Sequence, residues 1–349
     1  MTMNRKLLTA ASLTTGVLLS AFAHGQSTPS AAKATQATPS PESQAVLDQL
    51  GALGAKPLET LTPEQARSQP SPADAVKALL EKQGKSTAPE PVGSVVDKQA
   101  GTTAVRIYTP KGTGPFPLVL YIHGGGWVIA TLDTYDASAR AIANAAQAVV
   151  VSTHYRQAPE HKFPASHEDV YASYKWALAH AKSLNADSAR VAVVGESAGG
   201  NMAVYVSMRA RDEKIARPDA QVLVYPVASG AMKSTSYREH ANGKPLSAAG
   251  MAWFFKHELS SDSQRQDPRI TLTAGNLKGL PPTTIITADL DVLRSEGQQL
   301  GEALKANGVE VVSRNFQGVT HEFFGMGAVL PQAREAVALA GTRLKAGWK

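Results

Sequence analysis

The chain contains no cysteine. That excludes disulfides, a thiolate nucleophile and cysteine-ligated zinc, and it leaves no residue for lipid attachment at a processing site. Charge is sparse too: 18% of residues are Asp, Glu, Lys or Arg, and the formal net charge is +6. No basic block is dense enough to track a phosphate backbone, so nucleic-acid binding is not indicated. Long apolar runs are equally lacking. The longest near the N-terminus, Leu7 to Leu19, falls short of the roughly 20 residues that span a bilayer.

That run follows Arg5 and Lys6 and precedes Ala21-Phe22-Ala23, a small-x-small pattern suited to signal peptidase. Residues 1–23 are therefore expected to be a cleaved signal peptide. Their removal takes two positive charges from the +6, leaves no stable membrane anchor, and makes the protein exported, periplasmic or extracellular. Residues 24–41 are rich in Ser, Thr, Pro, Ala and Gln and are expected to form a flexible linker, because they offer too little apolar surface to offset ordering entropy.

From 42 to 90 the pattern is helical, with apolar stripes at Val46, Leu47, Leu50 and Leu53 and at Ala75, Val76, Leu79 and Leu80, separated by prolines. After Pro91 strands alternate with helices. Strands are expected at 105–108, 118–122, 148–151, 191–194, 222–224, 283–287 and 309–316. Helices are expected at about 137–147, 166–183, 198–211, 295–306 and 332–345. Several strands are apolar throughout rather than alternately, as in a parallel sheet covered on both faces. The fold class is α/β, a mostly parallel, doubly wound sheet, occupying 91–349. A polar and aromatic excursion at about 231–267, with Trp253-Phe254-Phe255 in a short helix, interrupts the rhythm. Together with residues 42–90 it is expected to make a helical cap.

Gly195-Glu196-Ser197-Ala198-Gly199 lies between an expected strand and an expected helix, the setting of a nucleophile elbow. A serine on such a turn needs neighbours without side-chain bulk, which Gly195 and Gly199 provide. A serine hydroxyl also needs a base and an orienting acid. Only His240, His257 and His321 follow Ser197. The first two fall in the excursion, whereas His321 follows a strand and precedes the last helix, so His321 is the base. Asp289 and Asp291 both follow the strand at 283–287, and the pattern alone does not choose between them; Glu296, inside the next helix, is a weaker third. His123-Gly124-Gly125-Gly126-Trp127 follows the strand ending at Ile122, where backbone amides can face a developing oxyanion, and the Ala198 amide supplies the other side.

These motifs together resemble the hormone-sensitive-lipase family of α/β-hydrolases, bacterial lipolytic family IV. His123–Trp127 matches its HGGG motif, Gly195–Asn201 is similar to GDSAGGN with Glu196 for the aspartate, and Tyr155–Glu160 looks like YRLAPE. Asp291–Gly297 is similar to DPLRDEG, whose first aspartate is the triad acid, and this resemblance selects Asp291. It implies hydrolysis of short-to-medium acyl esters by Ser197, His321 and Asp291, with Gly124, Gly125 and Ala198 holding the oxyanion and no cofactor or metal. The partner is a small-molecule ester; association into a homodimer is left open. Amide or lactone hydrolysis would use the same machinery, and a binding protein of the same fold is a further alternative that the intact triad disfavours. Trp127, Val128 and Trp253–Phe255 are candidates either for pocket walls or for core packing.

Three departures stand out. His154 occupies the place of an aspartate, where a structural effect without loss of activity is expected. Glu322-Phe323-Phe324 follows the histidine where many members have Gly-Phe, and most members lack an export signal.

Overall fold

The computed structural model describes residues 38–348; the expected signal peptide at 1–23 and most of the expected linker lie outside the described residues. The first elements are helices α1 (Pro41–Ala52), α2 (Pro63–Ser68) and α3 (Pro72–Lys82). Each begins at a proline preceded by Ser40, Thr62 or Ser71, whose hydroxyl caps a first-turn amide. Proline at the first helical position loses no hydrogen bond, since that amide has no partner inside the helix.

The sheet follows with β1 (Ser94–Ala100), β2 (Thr103–Thr109), β3 (Phe116–Ile122), helix α4 (Asp136–Ala146), β4 (Val149–His154) and helix α5 (Ala165–His180). Next come β5 (Ala186–Glu196), α6 (Ala198–Asp212) and β6 (Ala220–Val224). An excursion carries α7 (Thr235–Glu239) and α8 (Ala248–Glu258) before β7 (Thr283–Leu290), α9 (Arg294–Ala306), β8 (Val311–Thr320) and α10 (Pro331–Gly347). The strand order is β1-β2-β4-β3-β5-β6-β7-β8. Pairing is antiparallel for β1 with β2 and β2 with β4, and parallel from β4 onward. The sheet is thus the mostly parallel, doubly wound one expected.

Both faces are covered. Leu118, Leu120 and Ile122 of β3 pack with α5, α6 and α9 residues such as Tyr174, Met202 and Leu300. Val119 and Tyr121 of the same strand pack with Ile142 of α4 and Leu344 of α10 on the other side. This two-sided burial is why the strand is apolar at every position.

Three details differ from the expectations. β1 was not anticipated: it is an edge strand, exposed over all but its last residue, so no apolar pattern marks it. β7 runs three residues further than expected, so Asp289 lies within the strand and only Asp291 follows it. β8 starts at Val311 and continues to Thr320, which delivers His321 directly from the strand end.

The order in which successive parallel strands are added switches side at β3, whose neighbours are β4 on one side and β5 on the other. In such sheets the crevice beyond the carboxyl ends at this switch point is the natural ligand site. The segments leaving β3, β5, β7 and β8 carry His123–Trp127, Ser197, Asp291 and His321.

Candidate active site

Ser197 is the residue between β5 and α6, at φ 55° and ψ −119°. A non-glycine residue there is strained, and the surroundings hold it in place. Its amide donates to the Val224 carbonyl at 2.9 Å, which pins the turn to β6. The flanking glycines are required by contact. A Cβ on Gly195 would sit 2.1 Å from the Gly199 carbonyl oxygen, and one on Gly199 would sit 2.0 Å from that of Ile122. Both obstacles are backbone, which cannot swing aside.

Below the turn, Glu196 is fully buried and receives hydrogen bonds from the Tyr121 and Tyr225 hydroxyls. Burial pushes its carboxyl up to about 7, against the pull of the two tyrosines. The glutamate that replaces the family's aspartate therefore has a partner for each carboxylate oxygen.

His321 Nε2 lies 3.0 Å from Ser197 Oγ, and His321 Nδ1 lies 2.7 Å from Asp291 Oδ2. The Asp291 side chain is completely buried, and its other oxygen accepts from the Leu293 amide at 2.9 Å. The Tyr225 ring lies against the imidazole, with centroids 4.5 Å apart. Burial alone would lower the basicity of His321, but the adjoining Asp291 carboxylate, together with Glu322 and Glu196, reverses the shift and leaves it above the ordinary histidine value. A base must be neutral to accept a proton. The acid limb of kcat/KM is therefore expected above pH 6.5, with activity lost as pH falls through that limb, in a pH–rate profile with an uncharged ester.

The competing residues are elsewhere. Asp289 Oδ1 accepts from Asn315 Nδ2 at 3.2 Å and pairs with Arg294 at 3.3 Å. Glu296, on the first turn of α9, accepts from the Ala228 amide at 2.8 Å, and burial raises its carboxyl to about 8. His240 lies by Arg294, and His257 packs on the Trp253 ring.

In the glycine loop Gly125, Gly126 and Trp127 all have positive φ. A Cβ on Gly124 would stand 2.3 Å from the Tyr135 hydroxyl and 3.1 Å from Ser197 Cβ, so only glycine lets this strand end approach the nucleophile. Tyr155 donates its hydroxyl to the Gly124 carbonyl at 2.7 Å, with the His123 carbonyl at 3.1 Å. These contacts fix the two carbonyls at the start of the loop. Ala198 opens α6, where first-turn amides lack intrahelical partners. Sequence reasoning noted Tyr155 only as part of a motif; its role depends on a contact across 31 positions.

His154, in place of an aspartate, puts Nδ1 3.4 Å from His123 Nε2. Burial and the neighbouring His154 hold the His123 imidazole down to about 3. Burial lowers His154 as well, so the pair is neutral at physiological pH, and His123 Nδ1 lies 2.9 Å from the Gly124 carbonyl oxygen.

A cavity of about 450 Å³ opens onto Ser197 and His321. Its walls include Leu47 and Leu50 of α1, Ile129 of the loop after β3 and Phe254 of α8, and its volume is within the range of small-molecule sites. Trp127 and Val128 are packed into the core instead. Arg67 of α2 donates to the Val128 and Ala158 carbonyls and to Glu160, tying the N-terminal helices to the segment after β4. Among the described residues no cluster of three or more His, Asp or Glu could hold a metal.

A family model described as the α/β hydrolase fold matches residues 119–325, the stretch that carries the glycine loop, Ser197, Asp291 and His321. The chain belongs to the α/β-hydrolase family. Its motifs put it in the hormone-sensitive-lipase-like branch. This α/β hydrolase is 38% identical to Esterase LipI of Mycobacterium tuberculosis over 70% of the chain and 78% of that protein. It is 30% identical to ethyl acetate hydrolase of Pseudomonas putida over 81% and 90%. Among solved structures, the hyperthermophilic esterase of the archaeon Pyrobaculum calidifontis superposes with a TM-score of 0.79 at 33% identity, covering 88% of this chain and 98% of that one.

Proposed function

We propose that this α/β hydrolase is a serine carboxylesterase that cleaves short-to-medium-chain acyl esters through an acyl-enzyme on Ser197. It is a carboxylic ester hydrolase by family, as its relatives' names state. The observation that carries the serine mechanism is the unbroken chain from Asp291 Oδ2 through His321 to Ser197 Oγ, ending at a cavity of mixed apolar and polar lining.

The roles follow from the geometry. His321 Nε2 takes the Ser197 proton as Oγ attacks the ester carbonyl. Asp291 keeps the proton on Nδ1 and stabilises the imidazolium. The amides of Gly124, Gly125 and Ala198 receive the oxyanion. His321 then protonates the leaving alcohol, and a water repeats the sequence to release the acid and restore Ser197. No cofactor is needed for any step.

The helical segments at 42–90 and 231–267 form the cap in this reading, supported by the Trp253 indole donating to the Leu61 carbonyl at 3.0 Å. Phe254 and the α1 leucines then bound the acyl chain. Export rests on the leader at 1–23, and N-terminal sequencing of the protein from its native host tests it: a chain retaining Met1 contradicts it. For chain length, a series of 4-nitrophenyl esters is the test. Acetate to octanoate should give the highest kcat/KM, with palmitate at least tenfold lower. A maximum on palmitate would contradict the acyl-length reading.

A further inference from the structure

Glu322 follows the base directly, and nothing in the mechanism above uses it. Its backbone is left-handed, φ 71° and ψ 4°, a conformation that favours glycine, and glycine is what many members of the family have at this place. A glutamate kept under that strain, beside the reacting groups, calls for a function. Its Oε1 accepts from the Tyr135 hydroxyl at 2.7 Å and stands 3.7 Å from His321 Nε2, the same nitrogen that faces Ser197. The side chain is 22% exposed, and it lines the catalytic cavity together with Ser197 and His321. Tyr135 in turn touches the space over Gly124, so Glu322 is fixed between the base and the glycine loop.

We propose that Glu322 holds the water that deacylates the enzyme. The inference rests on the acyl-enzyme reading above. Once Ser197 Oγ is esterified it has no proton to give, and His321 Nε2 becomes a free acceptor. Two acceptors 3.7 Å apart can share one water placed about 2.8 Å from each, at an angle near 83°. One O–H of that water points at Nε2 and the other at Glu322 Oε1, which aims an oxygen lone pair at the acyl carbon. In the step itself the water oxygen bonds to the acyl carbon and its first proton passes to Nε2. The tetrahedral intermediate then collapses, breaking the bond to Ser197 Oγ, which takes the proton back from Nε2. The second water proton leaves with the carboxylic acid, so Glu322 undergoes no net change. Tyr135 is the positioning residue that keeps Oε1 in place.

The test separates acylation from deacylation by stopped-flow kinetics with 4-nitrophenyl acetate. Glu322→Gly suits it, because glycine adopts a φ of 71° without strain and the fold is not put at risk. Deacylation should slow by roughly 10- to 100-fold, in line with the cost of misplacing a reactant, while acylation changes less than about threefold. kcat and KM should then fall together, leaving kcat/KM nearly constant, and acetyl-enzyme should accumulate. Glu322→Gln, which keeps a carbonyl acceptor, should fall between the two. Deacylation unchanged in Glu322→Gly, or acylation and deacylation slowed alike, would overturn the proposal. The unsubstituted protein reports separately on the acyl-enzyme through partitioning to added methanol: one ratio of methyl acetate to acetate for acetyl esters of different leaving groups supports it, and a ratio that changes with the leaving group overturns that reading and this one with it.

Discussion

Replacing Ser197 by alanine is expected to lower kcat/KM for 4-nitrophenyl butyrate by roughly 10⁵- to 10⁶-fold, equivalent to about 7–8 kcal/mol of transition-state stabilisation. The size follows from how the site is built. Ser197 Oγ has His321 Nε2 as its hydrogen-bond partner, so removing it takes away the nucleophile and leaves the base with nothing to activate. In the proposed mechanism what survives is binding in the cavity and the amides of the glycine loop, which act weakly without covalent catalysis. The fold should not change, because the turn is held by the Ser197 amide on Val224 and by the bare backbone at Gly195 and Gly199. A thermal melt by circular dichroism should match that of the unsubstituted chain within a few degrees. A variant retaining more than about one hundredth of the activity, after exclusion of contaminating esterase, would sink the role given to Ser197.

The second large effect is a contrast between neighbours. Asp291→Asn is expected to cost about 10⁴-fold in kcat/KM, and Asp289→Asn less than about tenfold, measured with the same ester. An asparagine at 291 can still accept from the Leu293 amide through its carbonyl oxygen, so the local turn should persist. Its amide group then faces His321 Nδ1, favours the wrong imidazole tautomer and removes the charge that stabilises the imidazolium. Asp289 supports instead the packing of Arg294 and Asn315 beside the strand. Its loss is a matter of stability more than of chemistry. A crippled Asp289→Asn beside an active Asp291→Asn would reverse the assignment.

The legible parts of this protein are those that local chemistry dictates. The elbow at Ser197 needs glycine on either side, a strand before it and a helix after it, and all of these are written in five residues and their flanks. His321 could be singled out because few histidines follow the serine and only one follows a strand of the sheet. The apolar strands were readable because burial on both faces leaves no position for a polar residue.

The choice between Asp289 and Asp291 was not readable from pattern. β7 carries on through a buried aspartate whose partners, Arg294 and Asn315, come from α9 and β8. Likewise β1 was missed because an exposed edge strand is under no pressure to be apolar. Tyr155, Tyr135 and Glu322 owe their places in the site to contacts with residues far along the chain. Glu322 carries one local sign, a bulky residue where glycine is usual, and that sign acquires meaning only when its oxygen is found beside the base.

The central claim is that Ser197, activated by His321 and Asp291, forms a covalent acyl-enzyme. Treatment with a 4-nitrophenyl alkylphosphonate, followed by peptide mapping by mass spectrometry, tests it most directly, since such reagents trap the serine as a tetrahedral adduct. One phosphonyl group per chain is expected, on the peptide carrying Gly195-Glu196-Ser197, with fragment ions assigning it to Ser197 and esterase activity lost in step with labelling. A label on another residue, or full hydrolytic activity in protein labelled at Ser197, would contradict it.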